Sequence, residues 1–298
     1  MRIGKLVVVG VGLIGASCAL ALRRADAVGA VVGVGRSQSN LDAALACGAV
    51  DRICRLDGPW TTELADADVV LVATPVGQYP ALLGAIAAVI GDDTTVTDAG
   101  STKDDVVATA RVAFGARFAR FVPGHPIAGS DASGAAAASA ALFDGRNVVL
   151  TPLPETAPDA CVRVRGLWEA CGARVVTLAP AVHDRIYAAV SHLPHVIAFA
   201  LMAEFAARPD AAELLAHAGS GFRDFTRIAG SSPEMWRDIA LANRAALRTE
   251  IARFRNALDA ADALIAAGDA TALDALFGRA AAARRQWRDS LPVADDGS

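Results

Sequence analysis

The stretch Leu6-Val7-Val8-Val9-Gly10-Val11-Gly12-Leu13-Ile14-Gly15 decides the fold. Four consecutive aliphatic residues predict a strand buried on both faces, and the glycines after them predict a turn straight into a helix. Each glycine has its own mechanical task in such a turn. Gly10 makes the tight bend, Gly12 lets a pyrophosphate reach the backbone, and Gly15 lets helix pack on strand. Leu13 and Ile14 open the helix, whose free N–H groups face negative phosphates. The spacing alone is a weak signal, but between a strand and a helix it reads as a dinucleotide fingerprint. The basic start at 1–5 and the apolar run 6–22 also resemble a secretory signal. The glycine spacing argues against that reading, because an export signal has no use for it.

Outward from this turn, short β-branched runs alternate with helical stretches, the pattern of a parallel sheet with crossover helices. Strands are expected at 6–9, 30–34, 69–73 and 94–97, and 118–122, 147–151 and 174–178 are expected to extend the same sheet. Helices are expected at 135–141 and 159–171. After Pro180 strand-like runs vanish and Ala, Leu, Arg and Glu dominate. The expected architecture is α/β: a Rossmann-type doubly wound sheet over 1–178, then an all-α helical, dimer-forming domain over 179–298 with a frayed end. A length of 298 residues suits two domains.

Composition excludes several classes of function. A net charge of −4 supplies no basic face for nucleic acid. None of the five cysteines stands in a C-x-x-C pair or at ligand spacing from a histidine, so neither a disulfide framework nor a zinc site is expected. No run is expected to cross a membrane, and a soluble, cytoplasmic protein follows.

The cofactor type turns on the end of the second strand. About twenty residues past the glycine turn, an acidic side chain normally holds the ribose 2′-OH of NAD. Here the chain reads Gly33-Val34-Gly35-Arg36-Ser37, without a carboxylate. Arg36 and Ser37 suit a 2′-phosphate, so NADP is favoured and NAD stays open. Arg36 stacked on adenine or facing solvent is the plainer alternative. Thr74 and Pro75 close a later strand at the sheet edge where cofactors lie, although Pro75 also suits an ordinary helix start.

Four further segments carry chemistry: Asp98-Ala99-Gly100-Ser101-Thr102-Lys103, Gly124-His125-Pro126-Ile127-Ala128-Gly129-Ser130, Ser191-His192-Leu193-Pro194-His195, and Gly219 through Arg227. With Met235-Trp236-Arg237-Asp238 and the glycine turn, they resemble the prephenate/arogenate dehydrogenase family across roughly residues 1–250. The resemblance implies a substrate with a carbinol and two carboxylates. Hydride leaves the carbinol carbon for the nicotinamide while the ring carboxylate departs as carbon dioxide, which aromatises the ring on the route to tyrosine. It further implies His125 as the catalytic hydrogen-bond acceptor and Ser101 as the group holding the hydroxyl and orienting the imidazole. Arg227 matches the carboxylate-binding arginine, a role suited to its cationic fork. Ser191, His192 and His195 then line the substrate pocket, and Gly100 joins the cofactor residues. Asp131 gates the pocket, attracts an arogenate ammonium, or merely caps a following helix. His183 and His217 stand alone in sequence and read as core or surface residues.

Two other readings compete. A β-hydroxyacid dehydrogenase shares the layout but relies on a lysine in its helical half, and residues 180–298 contain none. A non-catalytic dinucleotide sensor needs the glycine turn alone and leaves the other motifs without a purpose. The resemblance implies a homodimer joined through the helical half. No chorismate mutase segment or regulatory domain is recognisable, so any tyrosine inhibition is expected at the active site itself.

Overall fold

The computed structural model describes residues 2–129 and 132–290. Six parallel strands form the main sheet: β1 (Ile3–Val9), β2 (Val28–Gly35), β3 (Arg52–Arg55), β4 (Val69–Val72), β5 (Thr95–Asp98) and β6 (Phe121–Val122). Their order is β3-β2-β1-β4-β5-β6, with every neighbouring pair parallel. The sequence grows outward in both directions from β1, and this reversal point is where open α/β sheets bind their ligands. Along β1, Leu6 and Val8 enter one apolar core while Val7 and Val9 enter the other, so the strand is buried on both faces as its composition demands. The helices of this half are α1 (Leu13–Arg24), α2 (Gln38–Ala46), α3 (Tyr79–Ala87), α4 (Asp104–Phe114) and α5 (Pro158–Ala170).

Two expectations need correction. The strands expected at 147–151 and 174–178 do not extend the main sheet. β7 (Gly124–Pro126), β8 (Asn147–Leu150) and β9 (Arg174–Thr177) form a separate three-stranded sheet in that order. The chain leaves the main sheet at Pro123, which has no N–H to give a ladder, and its carbonyl accepts from Thr151 N instead. The helix expected at 135–141 shrinks to one 3-10 turn, Ala135–Ala137. Side chains take the N–H groups a helix would have used: Ala135 N donates to Asn40 Oδ1 and Ser139 N to Ser17 Oγ. β3 was not anticipated.

Past β9 the chain is helical: α6 (Pro180–Tyr187), α7 (Leu193–Ala206), α8 (Ala211–Ala216), α9 (Ser220–Thr226), α10 (Pro233–Ala242), α11 (Arg244–Ala267) and α12 (Ala270–Ser290). By packing, 1–247 forms one compact unit and 248–298 a second. Within the first unit, 180–206 is one helical run of 27 residues, long and apolar enough by composition to cross a bilayer. It is tied to the Rossmann half by hydrogen bonds from Lys103 N and Asp104 N to Asp184.

Candidate active site

The glycine turn behaves as three different glycines. Gly10 has φ +100°, and a Cβ there would lie 2.5 Å from the Ala73 carbonyl oxygen. A Cβ on Gly15 would lie 2.2 Å from the Gly10 oxygen, so that glycine lets α1 sit against the turn. At Gly12 a Cβ would meet nothing within 4 Å. The protein's own packing therefore leaves Gly12 facing open space, as a cradle for a ligand requires. Gly12 also precedes α1 without any side-chain cap, which leaves N–H groups of the first turn, with Leu13 and Ile14 in it, free for phosphate. A cavity of about 250 Å³ opens here, lined by Gly10, Gly12, Arg36, Ser37, Thr74 and Pro75 among others. A dinucleotide fits these residues.

Three details modify the sequence reading. Gly100 is not in the lining; its N–H donates to Asp98 Oδ2 at 2.8 Å. Ser37 caps α2, its hydroxyl accepting from Asn40 N at 3.3 Å. Arg36 is exposed and lies 3.5 Å from Glu234 Oε2 at the start of α10. Asn40 went unrecognised in the sequence. It donates to Val11 O at 2.9 Å and accepts from Ala135 N at 2.7 Å, which ties the glycine turn to the loop beyond β7.

The second constellation is built around His125. Asp98, at the end of β5, and Lys103, just before α4, are both wholly buried and paired at 2.5 Å. Asp98 Oδ1 accepts from Gly124 N at 2.9 Å, and Lys103 Nζ donates to Gly124 O at 2.6 Å. The ion pair thus grips both polar groups of the residue before His125. Such a pair contributes geometry more than stability, since burying two charges costs about what their attraction returns. β7 then sets His125 opposite Val149 of β8.

The helical half supplies the facing wall. His183 Nε2 lies 2.8 Å from His125 Nδ1, and His183 Nδ1 lies 2.8 Å from Asp184 Oδ1. The Tyr187 ring packs edge-on to His125 with centroids 5.1 Å apart. A π-helical turn, Ala188–His192, follows, with Pro194 just beyond it. Proline cannot donate to the preceding turn, so the helix widens there, a common device at functional sites. Asn243 Nδ2 donates to His192 Nδ1 at 3.1 Å. His195 hydrogen-bonds through Nδ1 to Ser191 O at 2.9 Å and stacks on Trp236, centroids 3.5 Å apart. Arg227, exposed in a 3-10 turn, is close enough to disfavour a charge on His195. Ser101 follows Gly100, whose N–H is held by Asp98, and its backbone lies against His192. A run of contacts through His183, Asp184, Asn243 and Trp236 thus links His125 to His192 and His195, with Arg227 and the Ser191 carbonyl at the His195 end. Asp131 lies outside the described residues. His183, read from sequence as an isolated core or surface residue, is instead buried against His125, while His217 is exposed.

Burial sets the charge states. It pushes His125 well below the usual histidine value, helped by His183 and by the Lys103 and His192 charges. Burial likewise lowers His183 and His195. Burial also acts to raise Asp184, but hydrogen bonds from His183 and from the Asp104 and Lys103 N–H groups outweigh it and hold the carboxyl below its usual range. His192 is lowered to about 4, mainly by burial.

That value has a consequence for stability. Between pH 6.5 and about 4 the unfolded chain takes up a proton that folded His192 refuses. The contribution is therefore complete above pH 6.5 and disappears as pH falls, by about 3 kcal/mol at pH 4. Denaturant titrations at pH 7 and 4.5 check this: wild type should lose more stability on acidification than His192→Gln. An equal loss in both would remove His192 from the account.

Comparison with known proteins agrees with this arrangement. Residues 18–177 match the family model for the prephenate dehydrogenase nucleotide-binding domain, and residues 179–279 match that for the prephenate dehydrogenase dimerization domain. The prephenate dehydrogenase of Bacillus subtilis is 34% identical, over 98% of this chain and 77% of its own length. A solved prephenate dehydrogenase from Aquifex aeolicus, in complex with hydroxyphenyl propionate and NAD+, superposes with a TM-score of 0.88 at 32% identity, covering 96% of this chain and 99% of that one. Synechocystis arogenate dehydrogenase superposes at 0.76 with 31% identity, over 95% and 99% of the two chains. Two adjoining family models, a relative similar over nearly the whole chain and the clefts described above lead to one assignment: the chain belongs to the prephenate dehydrogenase family.

Proposed function

We propose that this chain oxidatively decarboxylates prephenate or arogenate, using a nicotinamide dinucleotide held by the glycine turn. The observation that carries the reading is His125 on β7, directly after a glycine whose N–H and C=O are both held by the buried Asp98–Lys103 pair, with its Nδ1 2.8 Å from the buried His183. The dinucleotide, when bound, supplies the hydride acceptor. His125 accepts the carbinol proton as hydride leaves the same carbon, a role suited to an imidazole kept unprotonated at neutral pH. Ser101 holds the same hydroxyl. Arg227 pairs with a substrate carboxylate, and Ser191, His192 and His195 shape the pocket. Loss of the ring carboxylate as carbon dioxide, driven by aromatisation, leaves the ring oxygen as a phenolate that takes back the proton held by His125, so no further acid is needed. A β-hydroxyacid dehydrogenase is no longer a competing reading, since the family models span the chain.

Comparing catalytic efficiency for both substrates with both cofactors tests the proposal, and no turnover in any of the four combinations would overturn it. NADP should be the better cofactor through Arg36, although Glu234 at 3.5 Å competes for that guanidinium. Arg36→Asp should weaken NADP by charge repulsion and leave NAD equal or improved; unchanged KM values for both would refute the assignment.

The active form is a dimer joined through the helical half, placed with 179–298 as its own functional part, in the cytoplasm. Ala198 is the one wholly buried residue of the strongly apolar α7, and Leu258, Ile265, Phe277 and Trp287 stand exposed on α11 and α12. Exposed apolar side chains of that kind mark interfaces in a protein that stays dispersed. Light scattering at micromolar concentration should return twice the 30.5 kDa chain mass, and a monomer would contradict the proposal.

A further inference from the structure

We propose that His183 and Asp184 form a relay that places the His125 proton on Nδ1 and keeps Nε2 as the free lone pair that accepts the substrate proton. The proposal rests on the assignment of His125 as acceptor and adds two positioning residues to it.

The argument is a count of donors and acceptors along one chain of hydrogen bonds. Asp184 is a carboxylate and can only accept. Oδ1 already takes Lys103 N at 2.8 Å, and Oδ2 takes Asp104 N at 2.9 Å. The 2.8 Å contact with His183 must therefore be donated by His183 Nδ1–H. A neutral imidazole carries one N–H, so His183 Nε2 is an acceptor. Its 2.8 Å neighbour, His125 Nδ1, must then be the donor. A neutral His125 with its proton on Nδ1 has no proton on Nε2. The ring nitrogen left as a base is thus chosen three hydrogen bonds away, by the backbone N–H groups that hold Asp184 at the start of α4.

The charged and titratable groups facing the relay agree with this order. From the Rossmann half come Lys103, neutralised by Asp98, and the Asp104 N–H; from the helical half come Tyr187 and His192. Each of these disfavours a second proton on the two imidazoles or is neutral toward it. Asp184 and, more weakly, Asp98 favour charge, and both act on His183, one residue removed from the acceptor, where burial outweighs them. The histidine pair therefore stays neutral, and the tautomer remains defined.

Asp184→Asn tests the relay. The carboxamide can donate to His183 Nδ1, which would move the His183 proton to Nε2 and the His125 proton from Nδ1 to Nε2, blocking the acceptor. Turnover should fall about 10²–10⁴-fold, the size of a wrong-tautomer defect, with substrate KM within about threefold and dinucleotide stoichiometry intact. ¹⁵N NMR of histidine-labelled enzyme reads the proton position directly. Wild type should show His125 protonated at Nδ1, and Asp184→Asn should show it at Nε2. A companion pair guards against misfolding: His183→Gln keeps an acceptor for His125 Nδ1–H and should retain turnover within about tenfold, whereas His183→Leu should lose both turnover and the defined tautomer. Wild-type His125 protonated at Nε2, or a folded Asp184→Asn enzyme with wild-type turnover, overturns the relay. The assignment of His125 as acceptor has its own test: an inactive His125→Asn enzyme together with wild-type turnover in Asp184→Asn ends the relay alone, whereas wild-type turnover in His125→Asn ends the acceptor assignment.

Discussion

Replacing His125 with Asn will lower turnover by about 10²–10⁴-fold, the usual size of a lost general base, with little change in substrate KM or dinucleotide affinity. The asparagine carboxamide preserves polarity and can still bond to the substrate hydroxyl, but it cannot take up a proton as hydride leaves. Binding should survive because the hydroxyl is one contact among several, and because the glycine turn is separate from β7, where His125 lies. The wild-type pH profile should show the same group. Burial lowers His125 well below the ordinary histidine range, so the acid limb of kcat/KM belongs below pH 6.5, with a plateau through neutrality. In the variant that limb should vanish along with the rate. A folded His125→Asn enzyme with wild-type turnover would dismiss His125 as the acceptor.

Arg227→Ala should fail in the other parameter. Removing the guanidinium leaves a substrate carboxylate poorly paired in a site lined by buried histidines, at a cost of about 2–5 kcal/mol. That corresponds to roughly 30- to several-thousand-fold in kcat/KM. Most of it should appear as a raised KM, because the carboxylate is bound in ground state and transition state alike. Arg227 also disfavours a charge on His195, so its removal should shift the His195 titration upward, visible by NMR without any substrate. Lysine should recover only part of the loss, since an ammonium cannot reproduce the two-pronged contact of a guanidinium. A normal KM in the alanine variant would place the carboxylate elsewhere.

The accuracy of the sequence reading followed the range of the interactions involved. The main strands other than β3, the glycine turn and α5 are legible because their signals lie within a few neighbouring residues: aliphatic runs, glycines at set offsets, a proline at a helix start. The separate sheet of β7, β8 and β9 was not legible, since strands 147–150 and 174–177 read alike whichever sheet they join. What separates them is Pro123 together with the grip of Asp98 and Lys103 on Gly124, a contact across 21 to 26 residues. The helix expected at 135–141 failed for a similar reason. Its alanines favour helix, but Asn40 and Ser17, far back in the chain, capture its N–H groups.

Within the site, the same division holds. The motifs around Ser101, His125, Ser191–His195 and Arg227 are contiguous, so the sequence by itself determined which side chains are available and which family they resemble. It also determined that a dinucleotide cradle exists, because Gly10, Gly12 and Gly15 are a local backbone requirement. Only the tertiary structure decided how deeply those side chains are buried and which partners they meet. His183 stands 58 residues from His125 and carries no motif. Its role arises when α6 is packed against the start of α4 and Asp184 receives the Lys103 and Asp104 N–H groups. A pKa and a tautomer depend on burial and on the partner at the far end of a hydrogen-bond chain. Those are fixed by packing between distant segments, and no local pattern of residues encodes them.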